Sequence, residues 1–334
     1  MDAKRLLDFS GSGWMVASLF ISALLCVAGC TCFSIPLVER EQSLNETVVA
    51  GKGRDKILLL DISGPITSKE RRGTFPFQTE VSIVSRVREE LKKAAQDGKI
   101  KGLIVRINSP GGTVTASDII YREIKRFKDE KKIPVIASMM ELATSGGYYV
   151  AVAADTIVAH PTSITGSIGA IAIKINAQGL MEKIGIVDET VTAGDKKDLF
   201  SPLRPATEEE KEIIQTMLND FHQRFKDLIG QGRPSLTMEE IQKLSDGRVF
   251  TADQALEKKL IDDIGYLDDV IATVKKKAGI EDARVIMYHR PWGYKNNIYS
   301  RMVKPDFESI NLVNIDLSGL IGDTGLQFMY LWNP

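Results

Sequence analysis

The chain has 334 residues, of which 43% are hydrophobic and 26% charged, and its formal net charge is −1 at pH 7. This length and composition exclude a mostly disordered chain, because they allow a sizeable apolar core. The near-neutral charge, without a cationic stripe interleaved with aromatic residues, argues against nucleic acid as a partner.

The first predicted element is the hydrophobic stretch Trp14–Val38, which contains no charge and follows a short tail, residues 1–13. A segment of this length can span a bilayer, so it predicts a membrane anchor or an export signal. Cations lie on both sides of it, and we favour a single pass through the cell membrane, with the remaining chain on the extracytoplasmic side. A lipid anchor at Cys30 is the alternative, since small residues precede this cysteine. All three cysteines lie in this segment, so the remaining chain can hold no disulfide framework or thiolate metal site.

Residues 39–55 are polar and aperiodic, which predicts a linker before a globular domain. Further along, short β-rich runs alternate with helical stretches. The predicted strands are Ile57–Ile62, Leu103–Ile107, Pro134–Ser138, Thr156–Ala159, Ala170–Ile175, Val187–Thr192 and Ala283–Tyr288. The predicted helices are Val81–Ala95, Ala116–Asp129, Ser145–Ala154, Ala177–Ile184, Glu208–Leu228, Met238–Leu244, Ala252–Lys259 and Leu267–Ala278. Because this alternation requires crossover connections, we predict an α/β domain with a mainly parallel sheet over residues 56–290, then a peripheral tail, residues 291–334.

Three turns that combine glycines with hydroxyl groups follow predicted strands. They are Ser109-Pro110-Gly111-Gly112, Ser145-Gly146-Gly147 and Thr165-Gly166-Ser167-Ile168-Gly169. Glycines allow a sharp turn that exposes backbone N–H groups, and a helix N-terminus directs such groups at negative charge. A tetrahedral oxyanion requires this arrangement. The alternative is that each segment is only a tight turn between elements.

Ser145 is the candidate nucleophile. It begins a predicted helix, whose dipole favours an alkoxide-like oxygen, and the following glycines admit a substrate backbone. The alternative is that Ser145 serves only as an N-cap, which is a common role of serine at a helix start. A Ser-His-Asp triad is poorly supported, because the three histidines of the chain are scattered without a matching motif.

Lys197 is the candidate base. It follows the predicted strand Val187–Thr192, and a lysine that has lost its proton can activate a hydroxyl as histidine does. A free lysine has a pKa of about 10.4, so this role requires apolar surroundings, to which Leu199 and Phe200 would contribute. Without its partners, Lys197 would simply be a surface lysine. A hydroxyl of the third turn, that of Ser167, is the candidate to orient the amine.

The three turns, together with Lys197-Asp198 and Asp246-Gly247-Arg248-Val249-Phe250, resemble the signal peptide peptidase A family in order and spacing. The resemblance covers about residues 56–290 and is to the short, single-domain type. It implies a Clp-protease/crotonase-like fold of repeated ββα units. It also implies Ser145 as nucleophile, Lys197 as general base and Ser167 as the hydroxyl that steadies the lysine, with Gly112 and the Gly146 backbone forming the oxyanion hole. Lys196 departs from the tyrosine or histidine that often precedes the lysine of this family.

We therefore predict a serine peptidase that acts through an acyl-enzyme and requires no metal or cofactor. The resemblance implies apolar peptide substrates, such as signal-peptide remnants, at the membrane, and a homo-oligomer. One alternative is a crotonase-like acyl-CoA enzyme, although the turns contain no paired carboxylates, and another is a non-catalytic membrane scaffold. The apolar end Phe328-Met329-Tyr330-Leu331-Trp332 either visits the active site as a substrate-like segment or packs on a neighbouring surface.

Overall fold

The structure is a computed structural model that describes residues 44–72, 79–290 and 328–332. The predicted anchor Trp14–Val38, the lipid-anchor candidate Cys30 and most of the predicted tail lie outside the described residues. Among the described helices, none has the length and apolar character needed to cross a membrane.

The described chain alternates between strands and helices, as the sequence predicts. Its strands are β1 Asn45–Gly51, β2 Asp55–Ser63, β3 Arg71–Arg72, β4 Thr79–Glu80, β5 Ile100–Ser109, β6 Gly111–Thr113, β7 Val135–Thr144, β8 Thr156–Ala159, β9 Ile164–Gly166, β10 Ile171–Ala172, β11 Val249–Thr251, β12 Asp263–Ile264, β13 Ala283–His289 and β14 Phe328–Leu331. Its helices are α1 Ile83–Ala95, α2 Val114–Lys131, α3 Gly146–Ala151, α4 Gln178–Lys183, α5 Glu208–Gly232, α6 Met238–Leu244, α7 Ala252–Glu257 and α8 Leu267–Ala278.

One large sheet organises the fold, with the strand order β1-β13-β2-β5-β7-β8-β12. Neighbouring strands from β13 to β12 pair in parallel, and β1 at the edge is antiparallel to its neighbour. Beside this path, β9 pairs in parallel with the end of β7 and antiparallel with β11. The predicted α/β class with a mainly parallel sheet is confirmed, whereas the finer expectation of repeated ββα units stays a prediction. Parallel strands end at one edge of a sheet, so the turns after β5 and β7 lie close together.

The central strands are buried on both faces. Leu58 and Leu60 of β2 face the core that also contains α1 and α2, while Ile57 and Leu59 face α8 on the opposite side. Alternate residues of a strand point to opposite faces, so a continuous apolar run fills both cores. This burial makes β2, β5 and β7 a firm platform for the turns at their carboxyl ends.

Three expectations about the elements were wrong. The segment Asn45–Gly51, predicted to be part of the linker 39–55, is strand β1, because it finds a partner in β13 at the other end of the domain. The predicted strand Val187–Thr192 is absent, and its residues are exposed without a neighbouring strand to pair with. The predicted peripheral tail contributes β14, which pairs with β6 and β10. Each error concerns a pairing between distant parts of the chain, which local propensity does not encode.

Candidate active site

Ser145 occupies the tight turn between β7 and α3. Its φ of 52° and ψ of −114° are unusual for a residue other than glycine, and only 1% of its surface is exposed. The backbone is held on both sides, because the Ser145 N–H donates to the Gly166 carbonyl at 2.7 Å and the Ser145 carbonyl accepts from the Tyr149 N–H at 2.9 Å. The hydroxyl makes no capping hydrogen bond to α3. The N-cap interpretation is therefore wrong. Ser145 is instead a buried residue at a strained strand-to-helix turn, which is a setting that nucleophilic serines occupy in other folds.

The first glycine turn lies directly against the serine turn. A Cβ atom placed on Gly111, whose φ is 101°, would lie 2.7 Å from the Gly146 nitrogen. A Cβ atom on Gly112 would instead lie 1.9 Å from the Ile66 carbonyl oxygen. The two backbones can approach only because these residues lack side chains. The fold thus brings together the two predicted oxyanion-hole segments, those of Gly112 and Gly146. The residue that lies nearest to Gly146 is Gly111. The sequence pattern alone could not tell which of the two adjacent glycines makes this contact.

Ser167 lies beside this pair of turns. Its φ is 50° and it is buried, with its N–H donating to the Arg248 carbonyl at 2.7 Å. It directly follows Gly166, whose carbonyl accepts the Ser145 N–H. Strand β9 brings the third turn to this place by pairing in parallel with the end of β7. The three turns singled out in the sequence therefore converge on one site.

Lys197 is not brought to this site in the described chain. It lies exposed in a turn, where its N–H donates to the Gly194 carbonyl at 3.1 Å. Within the described residues, its amine forms no hydrogen bond or ion pair, whereas Lys196 pairs with Glu209 and Asp198 pairs with Arg204. In the part of a single copy that the structure describes, Lys197 lacks the apolar burial that a lysine base requires.

The segment that precedes Lys197 exposes an unusual number of apolar side chains. Val187 is 78% exposed and Val191 is 95% exposed. The other exposed apolar residues of this segment are Ile171, Ile173, Ile175, Leu180, Ile184 and Ile186. We call residues 171–191 the apolar segment. Exposed apolar side chains in such number are typical of interaction surfaces.

The C-terminal strand β14 lies across the glycine turn. It is antiparallel to β6, with Tyr330 opposite Gly112, and to β10 on its other side. The Tyr330 carbonyl oxygen would lie 2.0 Å from a Cβ atom on Gly111 and 3.1 Å from one on Gly146. This peptide carbonyl therefore lies against both predicted oxyanion-hole segments. The apolar end therefore packs across the candidate site as an added strand, and its role as a substrate-like segment stays a prediction.

The Tyr330 side chain is buried in an aromatic pocket that the sequence analysis missed. Its ring stacks on that of Tyr149 with centroids 5.0 Å apart, and lies 4.9 Å from that of Phe225. Its hydroxyl donates to the Phe221 carbonyl at 2.6 Å, and burial raises its pKa. The Tyr149 hydroxyl in turn donates to Asp118 at 2.6 Å. The sequence signal for this pocket was the position of Tyr148-Tyr149, because the two tyrosines lie on the helix that begins directly after Ser145.

The histidines have other contacts, as expected without a triad. A ring nitrogen of His160 lies 2.9 Å from the Thr162 hydroxyl, and one of His289 lies 2.8 Å from the Thr47 hydroxyl. Burial lowers the pKa of His222. In the described ranges none of the three hydrogen-bonds to Ser145.

Residues 127–281, which include Ser145, Ser167 and Lys197, match the family model described as Peptidase family S49. A protein of Enterococcus faecium named as a signal peptide peptidase SppA is 35% identical over 243 residues, which are 73% of this chain and 70% of that protein. The chloroplastic serine protease SPPA of Arabidopsis thaliana is 37% identical over 229 residues, which are 68% of this chain but 33% of that protein. A ClpP1 mutant of Listeria monocytogenes superposes with a TM-score of 0.42 and 19% identity, over 63% of this chain and 92% of that one.

Proposed function

Because the chain belongs to peptidase family S49, and is therefore a serine peptidase, we propose that Ser145 is its nucleophile and Lys197 its general base. Family membership removes the acyl-CoA enzyme and the non-catalytic scaffold as alternatives. The observation that carries the proposal for the nucleophile is the Ser145 turn, with its positive φ and its hydroxyl unused as a cap. Such strain persists in proteins chiefly where function requires it.

The proposed reaction proceeds through an acyl-enzyme. Neutral Lys197 takes the proton of the Ser145 hydroxyl while the oxygen attacks the peptide carbonyl. Backbone N–H groups from the Gly111–Gly112 turn and from Gly146 stabilise the oxyanion. The lysine then returns the proton to the leaving amine, and water releases the acyl group by the same route.

Assembly of several copies is proposed to complete the site. Lys197 and the apolar segment are both exposed, so a contact between copies would bury apolar surface and remove water from the lysine in one step. Loss of water around an amine favours its neutral form, which is the form that a base needs. Lys197 would then reach a serine of its own copy or of a neighbouring one.

The proposed substrates are apolar peptides such as signal-peptide remnants. Strand β14 supports this, because it is an extended segment that pairs with β6 and β10 and buries an aromatic side chain beside Tyr149. The name of the Enterococcus faecium relative describes the same substrate class for that protein. We further propose that Trp14–Val38 anchors the enzyme in the cell membrane, with the catalytic domain on the extracytoplasmic side.

The dyad is tested on the full-length chain in detergent with a fluorogenic apolar peptide. We expect Ser145→Ala and Lys197→Ala each to lower kcat/KM by at least about 10³-fold. The matched control is Lys276→Ala, an exposed lysine of α8 outside the apolar segment, which should retain activity. Full activity of Lys197→Ala would exclude the lysine as base.

A mixing experiment locates the lysine. Ser145→Ala and Lys197→Ala proteins are unfolded together, refolded together and assayed. Activity recovered in the mixture places serine and lysine on different copies, whereas a mixture as inactive as its components places them on the same copy.

A further inference from the structure

Arg204 joins two carboxylates that flank the turn of the candidate base. Its Nε donates to Asp198 Oδ2 at 2.6 Å, and its Nη1 donates to Glu210 Oε2 at 2.9 Å. Nη2 also pairs with Glu210 and donates to the Asp198 carbonyl at 3.4 Å, while Nη1 donates to the Pro205 carbonyl at 3.0 Å. The planar guanidinium is thus shared between the residue that follows Lys197 and a carboxylate of α5.

Glu210 is the fixed end of this connection. It is only 1% exposed, and it closes a capping box at the start of α5, with its carboxylate accepting the Thr207 N–H at 3.0 Å. The Arg204 guanidinium and then the Thr207 N–H lower the pKa of Glu210 to about 2. The carboxylate is therefore ionised across the neutral range. Through Glu210, the Arg204 side chain is fixed to the start of α5, and this helix packs into the core through Phe225 and Ile229.

The turn that carries Lys197 has few other connections to the domain. Its internal hydrogen bonds run between near neighbours, and Phe200 adopts a φ of 65°. Beyond Arg204, the connections among the described residues are the Lys196 pair with Glu209, the hydrogen bond from the Ala177 N–H to the Pro202 carbonyl at 2.8 Å, and the Lys174 amine, which lies 5.3 Å from the centre of the Phe200 ring. Of the two side chains next to Lys197, Lys196 makes an exposed ion pair, whereas Asp198 is joined through Arg204 to the buried carboxylate of Glu210.

Because of the charges around the lysine turn, the pairing of Arg204 with Asp198 also bears on the protonation of the Lys197 amine. The acidic groups there are Asp195, Asp198, Glu209 and Glu210, and the cationic ones are Lys174, Lys196, Arg204 and Lys211. A carboxylate beside an amine favours the ammonium form, which cannot act as a base. Arg204 compensates the charge of Asp198, the carboxylate adjacent to Lys197 in the chain, and lowers the pKa of that carboxyl group.

We propose that Arg204 is a positioning residue for the base: through Asp198 it holds the turn that presents Lys197, and it keeps the Asp198 carboxylate away from the lysine amine. This inference rests on the proposed role of Lys197. A purely structural Arg204 would stabilise the start of α5 without affecting the protonation of the base, so the pH dependence of activity separates the two roles.

The test measures kcat and KM against pH, together with thermal unfolding, on the full-length enzyme. In Arg204→Met, the acidic limb of the kcat/KM profile should move to higher pH by about one unit, because an uncompensated carboxylate retains the proton on the base. Activity on that limb should fall about tenfold with little change in KM. Arg204→Lys, which keeps the charge but loses the fork, should return the limb to its original pH while kcat stays reduced.

A second variant uses the opposite charge change and serves also if Arg204→Met does not fold. Asp198→Asn leaves the guanidinium without its partner, so the limb should move to lower pH. The matched control is Arg126→Met, which removes an arginine that pairs with Glu123 on α2, and its limb should stay in place. A limb that does not move in folded Asp198→Asn or Arg204→Met overturns the inference.

The proposed roles of Lys197 and Arg204 can be disproved separately. If Lys197→Ala is inactive while the limb of Arg204→Met is unmoved, only the role of Arg204 is lost. If Lys197→Ala is fully active, the proposed base is wrong whatever Arg204 does.

Discussion

The two halves of the proposed dyad lie in parts of the molecule with opposite physical character. The serine turn is buried at the carboxyl end of β7, fixed by hydrogen bonds and enclosed by glycine turns that leave no room for side chains. The lysine turn is exposed and follows the apolar segment, whose Val187 and Val191 face solvent. One half is formed by the fold of a single chain, and the other is not.

This difference suggests how the activity is controlled. A serine turn that is formed before assembly does little harm, because an unactivated serine hydroxyl is a weak nucleophile at neutral pH. The base becomes effective only once its surroundings lose water. If assembly supplies that step, the enzyme is active only when its copies meet, which would protect other proteins from a monomer whose serine turn is already formed.

The largest effect should come from the enclosed side of the comparison. In Gly111→Ala, the new Cβ atom would lie 2.7 Å from the Gly146 nitrogen, so the oxyanion donors must separate. We expect kcat to fall by about 10³-fold in a peptide assay. The matched control is Gly279→Ala, which also has a positive φ, of 66°, but open space around it. It should cost about 1 kcal/mol of stability and leave kcat unchanged, and similar kcat values for the two variants would contradict the preformed oxyanion site.

An intermediate effect should come from the exposed side. Val187→Asp combined with Val191→Asp places charge on the apolar segment without disturbing the core, since both residues are exposed. We expect analytical ultracentrifugation to show loss of assembly, thermal unfolding to change little, and kcat/KM to fall about 10²-fold because the lysine stays hydrated and protonated. The control Met238→Asp changes an exposed apolar residue on α6. An assembled or fully active double variant would contradict the role given to this segment.

The smallest effect should come from β14, which lies between the two regions by pairing with both β6 and β10. Removal of residues 328–334 should lower KM for an apolar peptide severalfold, since the tail competes for the same groove, with kcat nearly unchanged. A raised KM would show instead that β14 supports the fold. Mass spectrometry of the two intact proteins adds a direct test, because a self-processed C-terminus should appear in the active enzyme and be absent from Ser145→Ala.

The serine side of the site was predictable because each part is encoded locally. A strand, a glycine turn and a helix follow one another in a short stretch of sequence at Ser145, and again at Gly111. Parallel strands then bring such turns to one edge without further information.

The lysine side was not predictable in this way. Val187–Thr192 has the composition of a strand, but a strand requires a partner, and none is present beside it in the described chain.

Within the site, the sequence also could not predict which individual residues make contact. The sequence proposed Gly112 for the oxyanion hole, whereas the contact with Gly146 is made by Gly111, because only the path of the backbone separates two adjacent glycines. Similarly, nothing in the sequence near Lys197 identifies Arg204 as the partner of both Asp198 and Glu210. A long side chain reaches its partners only after the turn and α5 have been placed.

The sequence by itself determined the α/β class, the positions of the described helices and of the central strands, and the serine turn, because these follow from apolar periodicity and the conformational freedom of glycine. The tertiary structure alone decided that Asn45–Gly51 joins the sheet through β13, that Tyr330 lies across the site, and that the apolar segment remains uncovered. These are pairings between residues far apart in the chain. Their free energy depends on which surfaces the fold brings together, and no local pattern carries that information.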